Sequence, residues 1–201
     1  MLKRMTNYLR MKLRLVLITL LIINLNNMNA QTNNSFELVT LQLSENGNFP
    51  NNSALPALLY KSVFDFEAGD PAATIEKIFS ENNWGGSWRN GIFSYHHYHT
   101  TAHEALGVYG GWALVQLGGP GKDPVRIEKG DLVVLPAGTS HKKLDSGDGF
   151  AVVGAYPGGQ SYDMNYGKED LQEAQRNISQ VPLPENDPVL GENGKMFEHW
   201  K

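Results

Sequence analysis

Five of the chain's six histidines fall between Gly91 and His141, and the sixth, His199, stands next to the C-terminus. The first half of this stretch carries His96-His-Tyr-His99, then His103-Glu104; the second ends in Thr139-Ser-His141. Side chains alternate faces along a strand, so His97 and His99 point one way while His96 and Tyr98 point the other. Two imidazoles on one face, a carboxylate five residues on and a later histidine can converge on one metal ion. Imidazole and carboxylate donors suit Fe, Mn, Ni, Cu or Zn as a divalent ion, and a chain with no cysteine offers no thiolate site. His103 competes with Glu104 as a donor, or else orients a ligand or faces solvent. His96, on the opposite face, reads as structural. Tyr95 falls on the ligand face, where it lines a pocket or packs against it. Arg89 presents a fork of donors suited to a substrate carboxylate, or a plain surface charge. Lys142 and Lys143 read as a solvated pair.

The elements that must position these residues are strands. From Trp88 to Tyr156 the pattern is strand and turn throughout. Glu104, Leu106 and Val108 share a face, and Gly110-Gly111 reads as a tight turn. Ala113, Val115 and Leu117 share a face on the expected return strand. Leu132-Val-Val-Leu135 is a buried run stopped by Pro136, and Phe150 to Tyr156 reads as the last core strand. Phe36 to Leu43 fits an edge strand, and Ala54 to Phe66 reads as extended. Asp70-Pro71 opens a helix, with Asp as the cap, Pro at its first position and Ile75, Ile78 and Phe79 on one side; Asn83-Trp-Gly-Gly ends it. A second helix is expected over 168–179, from Leu171, Ala174 and Ile178. The proline-bearing tail is expected to wrap the surface without regular structure, anchored by Trp200. Short strands at near-regular spacing suggest a sandwich or closed barrel.

Two motifs then become specific. Gly91, His97, His99, Glu104 and Gly111 keep the spacing of the first cupin motif. Gly130, Pro136, Gly138 and His141 keep that of the second, with Asp145 where the family carries Asn. The chain therefore resembles the cupin superfamily. The contexts Trp84-Gly-Gly-Ser-Trp-Arg-Asn-Gly91, Gly154-Ala-Tyr-Pro-Gly-Gly159 and Val181-Pro-Leu-Pro-Glu-Asn-Asp-Pro188 are similar to the YjlB-like single-domain bacterial cupins, over residues 50–201. The resemblance implies an all-β fold, a double-stranded β-helix (jelly-roll barrel) with a few peripheral helices. It implies one divalent metal held by His97, His99, Glu104 and His141. It also implies a homodimer joined through sheet edges, which would cover exposed edge strands. It names no substrate.

Length suggests one domain. Residues 1–30 carry Lys3, Arg4, Arg10, Lys12 and Arg14 ahead of an apolar run from Leu15 to Leu25, with Ala30 at a candidate cleavage point. The run is too short to span a bilayer, and the pattern reads as a secretory signal, giving a secreted or periplasmic protein that meets the membrane only through that segment. Residues 31–53 read as linker and edge strand. Residues 54–201 read as one domain with its core over about 88–157 and a helical, proline-rich tail over 158–201. Losing five of the 17 basic residues and none of the 21 acidic ones moves the formal charge from −4 to −9. So acidic a chain is no general nucleic-acid binder.

His103-Glu104 lacks the second histidine of a zinc-protease helix, and no nucleophile elbow, phosphate loop or dinucleotide fingerprint is present. The leading expectation is a metal-dependent enzyme acting on a small organic molecule, by oxygenase or oxidase chemistry or as an isomerase. The alternative is a binding cupin that captures a small acid or sugar without turnover. Catalytic groups beyond the metal ligands are not identifiable from the sequence.

Overall fold

The computed structural model describes Thr32 and residues 35–201. The expected signal segment, residues 1–30, lies outside them. Seven strands form one antiparallel sheet: β1 (Glu37–Leu41), β2 (Ala57–Lys61), β3 (Trp84–Asn90), β4 (Glu104–Leu117), β5 (Pro124–Glu128), β6 (Leu132–Leu135) and β7 (His141–Pro157). Their order is β1-β2-β6-β4-β7-β3, with β5 beside β4. Three helices accompany them: α1 (Pro71–Glu81), α2 (Leu171–Gln180) and α3 (Met196–His199). The all-β expectation with peripheral helices holds.

Alternation of side chains splits the core in two. Leu58 and Tyr60 of β2, Leu132 and Val134 of β6, and Val153 and Ala155 of β7 pack on the outer face, against Ile75, Ile78 and Phe79 of α1 and Met196 and Trp200 of the tail. Their neighbours Ala57, Leu59, Val133, Leu135 and Val152 turn inward with Leu106, Val108, Val115 and Ile127. A sheet covered on both faces explains why β6 reads as an unbroken apolar run rather than an alternating one. Helix α1 begins as its sequence predicts, with the Asp70 carboxylate accepting from Ala72 N at 3.0 Å. Asp170 caps α2 in the same way through Glu173 N.

Strand β4 departs from the expected hairpin. Gly110-Gly111 makes no turn, and one strand of 14 residues runs through it. Its first part pairs β6 and its second part pairs β5, while β7 lies alongside both. The register shifts at the glycines, so the inward set changes from Glu104, Leu106 and Val108 to Ala113, Val115 and Leu117. Gly111 has φ +58°, and a Cβ there would lie 2.2 Å from the Gly147 carbonyl oxygen, so only glycine fits this bulge. The last core strand is also longer than expected, starting at His141, and β3 starts at Trp84, four residues before the expected core.

The tail is less irregular than its prolines suggest, because α3 forms in it. Asp187, fully buried, accepts from Tyr60 OH at 2.6 Å and from the backbone N–H groups of Val189, Leu190 and Met196. Trp200 is buried and donates from its indole to Pro56 O at 2.9 Å. The expected anchor is in place.

Candidate metal centre

The short segment leading into β4 runs antiparallel to the start of β7. His97 N donates to His141 O at 3.2 Å and His141 N to His97 O at 3.0 Å, which sets the two rings side by side with centroids 4.0 Å apart. His99 lies two residues on, on the same side, and Glu104 opens β4 on the inward face. The three histidines are buried, and their ligating nitrogens lie within 4.8 Å of one another.

The backbone fixes which nitrogen is free. His97 Nδ1 donates to Tyr95 O at 3.2 Å, His99 Nδ1 to Asp163 O at 2.5 Å, and His141 Nδ1 to Thr139 O at 3.1 Å. A carbonyl only accepts, so each ring carries its proton on Nδ1 and leaves the Nε2 lone pair for the centre. Glu104 Oε1 accepts from Tyr156 OH at 3.0 Å. Its Oε2 is buried without a hydrogen-bond partner, 3.4 Å from His141 Nε2 and 3.6 Å from His99 Nε2. Three converging lone pairs beside an orphaned carboxylate oxygen make a donor set that fits a divalent cation, since without one a buried lone pair goes unanswered.

The electrostatics agree. Burial pushes His141 down to about 3, and the neighbouring His97 adds to this. Burial also lowers His97. His99 is raised: burial opposes its charge, but the Glu104 carboxylate beside it wins. Burial alone would raise Glu104, yet His99, His141 and the Tyr156 hydroxyl hold it at about 2. The carboxylate is therefore ionised, and His97 and His141 are held in their neutral, lone-pair-bearing form.

Four other singled-out residues, His103, Arg89, Tyr95 and His96, stand outside the donor set. His103 neither orients a ligand nor faces solvent. It is fully buried, its Nδ1 accepts from Ala137 N at 2.9 Å, its Nε2 donates to Pro182 O at 3.2 Å, and it packs on Trp200. Both nitrogens are used, so it cannot compete with Glu104. Arg89 has no free fork: Nε and Nη2 grip the two Glu76 oxygens at 2.7 Å each, and Nη1 meets Asp70 Oδ2 at 2.8 Å. Tyr95 is about half exposed, stacked on Phe93 and edge-on to His97 at the mouth. His96 turns away from the centre to Ser140 Oγ and Gln116 Oε1.

Residue-by-residue reading missed Asp163, Tyr156, Tyr162 and Trp88. Tyr156 was within reach, because counting by twos from inward Val152 lands on it. Trp88 was not: β3 bulges between Gly85 and Trp88, so Trp84 packs outward and Trp88 inward despite even spacing. Asp163 stands in an irregular loop, where its side chain grips Thr100 N, Thr100 Oγ1 and Asn165 Nδ2 and so fixes the carbonyl that orients His99.

An antiparallel sheet that carries three histidines and a glutamate into its interior, on the two sequence motifs, defines this chain as a cupin. No family model matches the sequence. It is 38% identical over 165 residues to the uncharacterised protein YjlB of Bacillus subtilis (strain 168), a span covering 82% of this chain and 97% of that one. The chain belongs to the YjlB family. Similar solved structures include acireductone dioxygenase from Bacillus anthracis with cadmium in its active centre, at 16% identity and TM-score 0.35, covering 47% of this chain and 63% of that one. The DMSP lyase DddQ from Ruegeria pomeroyi DSS-3 follows at 18% identity and TM-score 0.32, covering 67% and 54%. Procruciferin, the 11S globulin of Brassica napus, matches at 16% and 0.32, covering 78% and 38%. The chain spans less than two thirds of each of these three.

Proposed function

We propose that this protein is a metal-dependent cupin in which His97, His99, Glu104 and His141 hold one divalent transition metal ion, and that it acts on a small organic molecule as an oxygenase, oxidase or isomerase. The observation that supports this most directly is the convergence of three Nε2 lone pairs beside the orphaned Glu104 Oε2. Such an ion, when bound, supplies a Lewis acid that polarises an oxygen of the ligand or lowers the pKa of a bound water. The chain's own groups do the rest. The carbonyls of Tyr95, Asp163 and Thr139 hold each imidazole in its donor tautomer. Tyr156 holds Glu104, and Trp88 holds Tyr156 by donating to its hydroxyl at 2.8 Å. The apolar inward face behind them keeps water away. In the same reading the protein is exported by its basic and apolar N-terminal segment and pairs with a second copy through a sheet edge such as that of β1, which among the described residues is bonded on one side only.

The test is metal content of the tag-free mature chain, purified without chelator, beside a His97→Ala/His99→Ala variant. Near-stoichiometric Fe, Mn, Ni, Cu or Zn is expected in the parent and none in the variant. A parent that takes up no metal after anaerobic reconstitution would overturn the reading. A loaded parent that retains candidate ligands unchanged, without consuming oxygen or converting them, would favour the non-catalytic binding cupin.

A further inference from the structure

The cavity over the centre has a volume of about 240 Å³, small even for a small-molecule site. Beyond the metal-facing groups its walls are Trp88, Ile92, Leu106, Phe93, Tyr162 and Met164, with Arg89 and Asn90 at one side. Phe93 and Tyr162 both line the cavity and remain 44% exposed. Phe93 stands edge-on to His97, with centroids 5.1 Å apart at 76°, and Tyr162 edge-on to His99, at 4.7 Å and 61°. An exposed ring thus stands beside each of two histidines. Tyr95 and then Tyr166 continue this aromatic surface outward.

The charged groups of the wall are already spent. Arg89 is its one cation, and drawing it to an anion would strip Glu76 and Asp70 of their partner. The Tyr156 hydroxyl donates to Glu104 and accepts from Trp88. A carboxylate ligand therefore meets no free counter-charge in the protein. A sugar would set most of its hydroxyls against ring and aliphatic carbon, which is costly. What the walls offer is ring faces and edges, which favour stacked or edge-on aromatic contact.

We propose that the ligand is a small, neutral, planar aromatic molecule with adjacent oxygen donors, its ring held at Phe93 and Tyr162 and its oxygens turned to the metal. The oxygens rest on the metal reading above; the ring slot does not. An aromatic wall with no free charge leaves the ion as the one charged anchor, and a six-coordinate ion with four protein donors keeps two positions for a chelating pair.

Isothermal titration of the metal-loaded full chain with 2,3-dihydroxynaphthalene and with malonate tests this. The diol is expected to bind about tenfold or more tighter than malonate, Tyr162→Ala to weaken the diol about five- to tenfold, and Tyr162→Phe to keep it within about twofold. Malonate binding equally well, with the diol indifferent to Tyr162→Ala, overturns the proposal and leaves the metal centre standing. Should the chain take up no metal, the metal reading fails by itself. Quenching of tryptophan emission by 2-methoxynaphthalene in metal-free protein then decides the slot: saturable quenching lost in Tyr162→Ala supports it, and no quenching overturns it.

Discussion

Buried imidazoles in this molecule divide by what their second nitrogen meets. In His97, His99 and His141 one nitrogen is tied to a carbonyl and the other faces its neighbours. In His103 both are tied to backbone, which makes it a fastener between the Pro136-Ala-Gly138 turn and the tail. Burial is the main cause that pushes His103 down to about 4, against an ordinary 6.5. The unfolded chain therefore takes up this proton first as the pH falls. The stabilising contribution is complete above pH 6.5 and is lost as the pH drops from there through about 4, amounting to about 3 kcal/mol. Denaturant unfolding of metal-free protein between pH 7.5 and 4.5 should show this slope. A His103→Gln variant should have a shallower one, and parallel curves for the two proteins would show that His103 is not its source.

At the scale of the element, the Gly110-Gly111 bulge is the decisive local feature. It lets one strand change its inward set in mid-course and so serve the metal centre with Glu104 and the apolar interior with Val115 and Leu117. Gly111→Ala should destabilise the fold by more than about 2 kcal/mol, since it combines a left-handed φ with backbone overlap; equilibrium unfolding by urea would measure it. The same feature shows where sequence reading stops. The change of phase between Val108 and Ala113 is visible in the residues, but a hairpin and a bulge produce it equally, and only the partners of both halves distinguish them. Most of the strands, the Asp70 helix cap and the grouping of His97, His99 and His141 are legible because alternation, capping chemistry and motif spacing are local. The binding of Arg89 by α1 and the inward turn of Trp88 are not, because each depends on a distant element or on one inserted residue.

Over the whole molecule, the outer face is closed by chain that arrives late in the sequence. Trp200 and Met196 cover the side of the sheet opposite the metal centre, and Asp187 ties that cover to β2 through Tyr60. Trp200→Ala should cost about 3–5 kcal/mol, as for other fully buried tryptophans, with thermal melts of the chelated protein as the check. Its effect on the occupancy of the centre should be small relative to that on melting, because the two lie on opposite faces.

The bond from Trp200 to Pro56 spans 144 residues, and that from Asp187 to Tyr60 spans 127. Synthesis proceeds from the N-terminus, so β2 is made more than 120 residues before its cover. The outer face of β2 thus stays uncovered in a nascent chain until residues 187–200 have been made. Until then the apolar outer face built by Leu58 and Tyr60 lacks the side chains of Met196 and Trp200 that bury it in the finished fold.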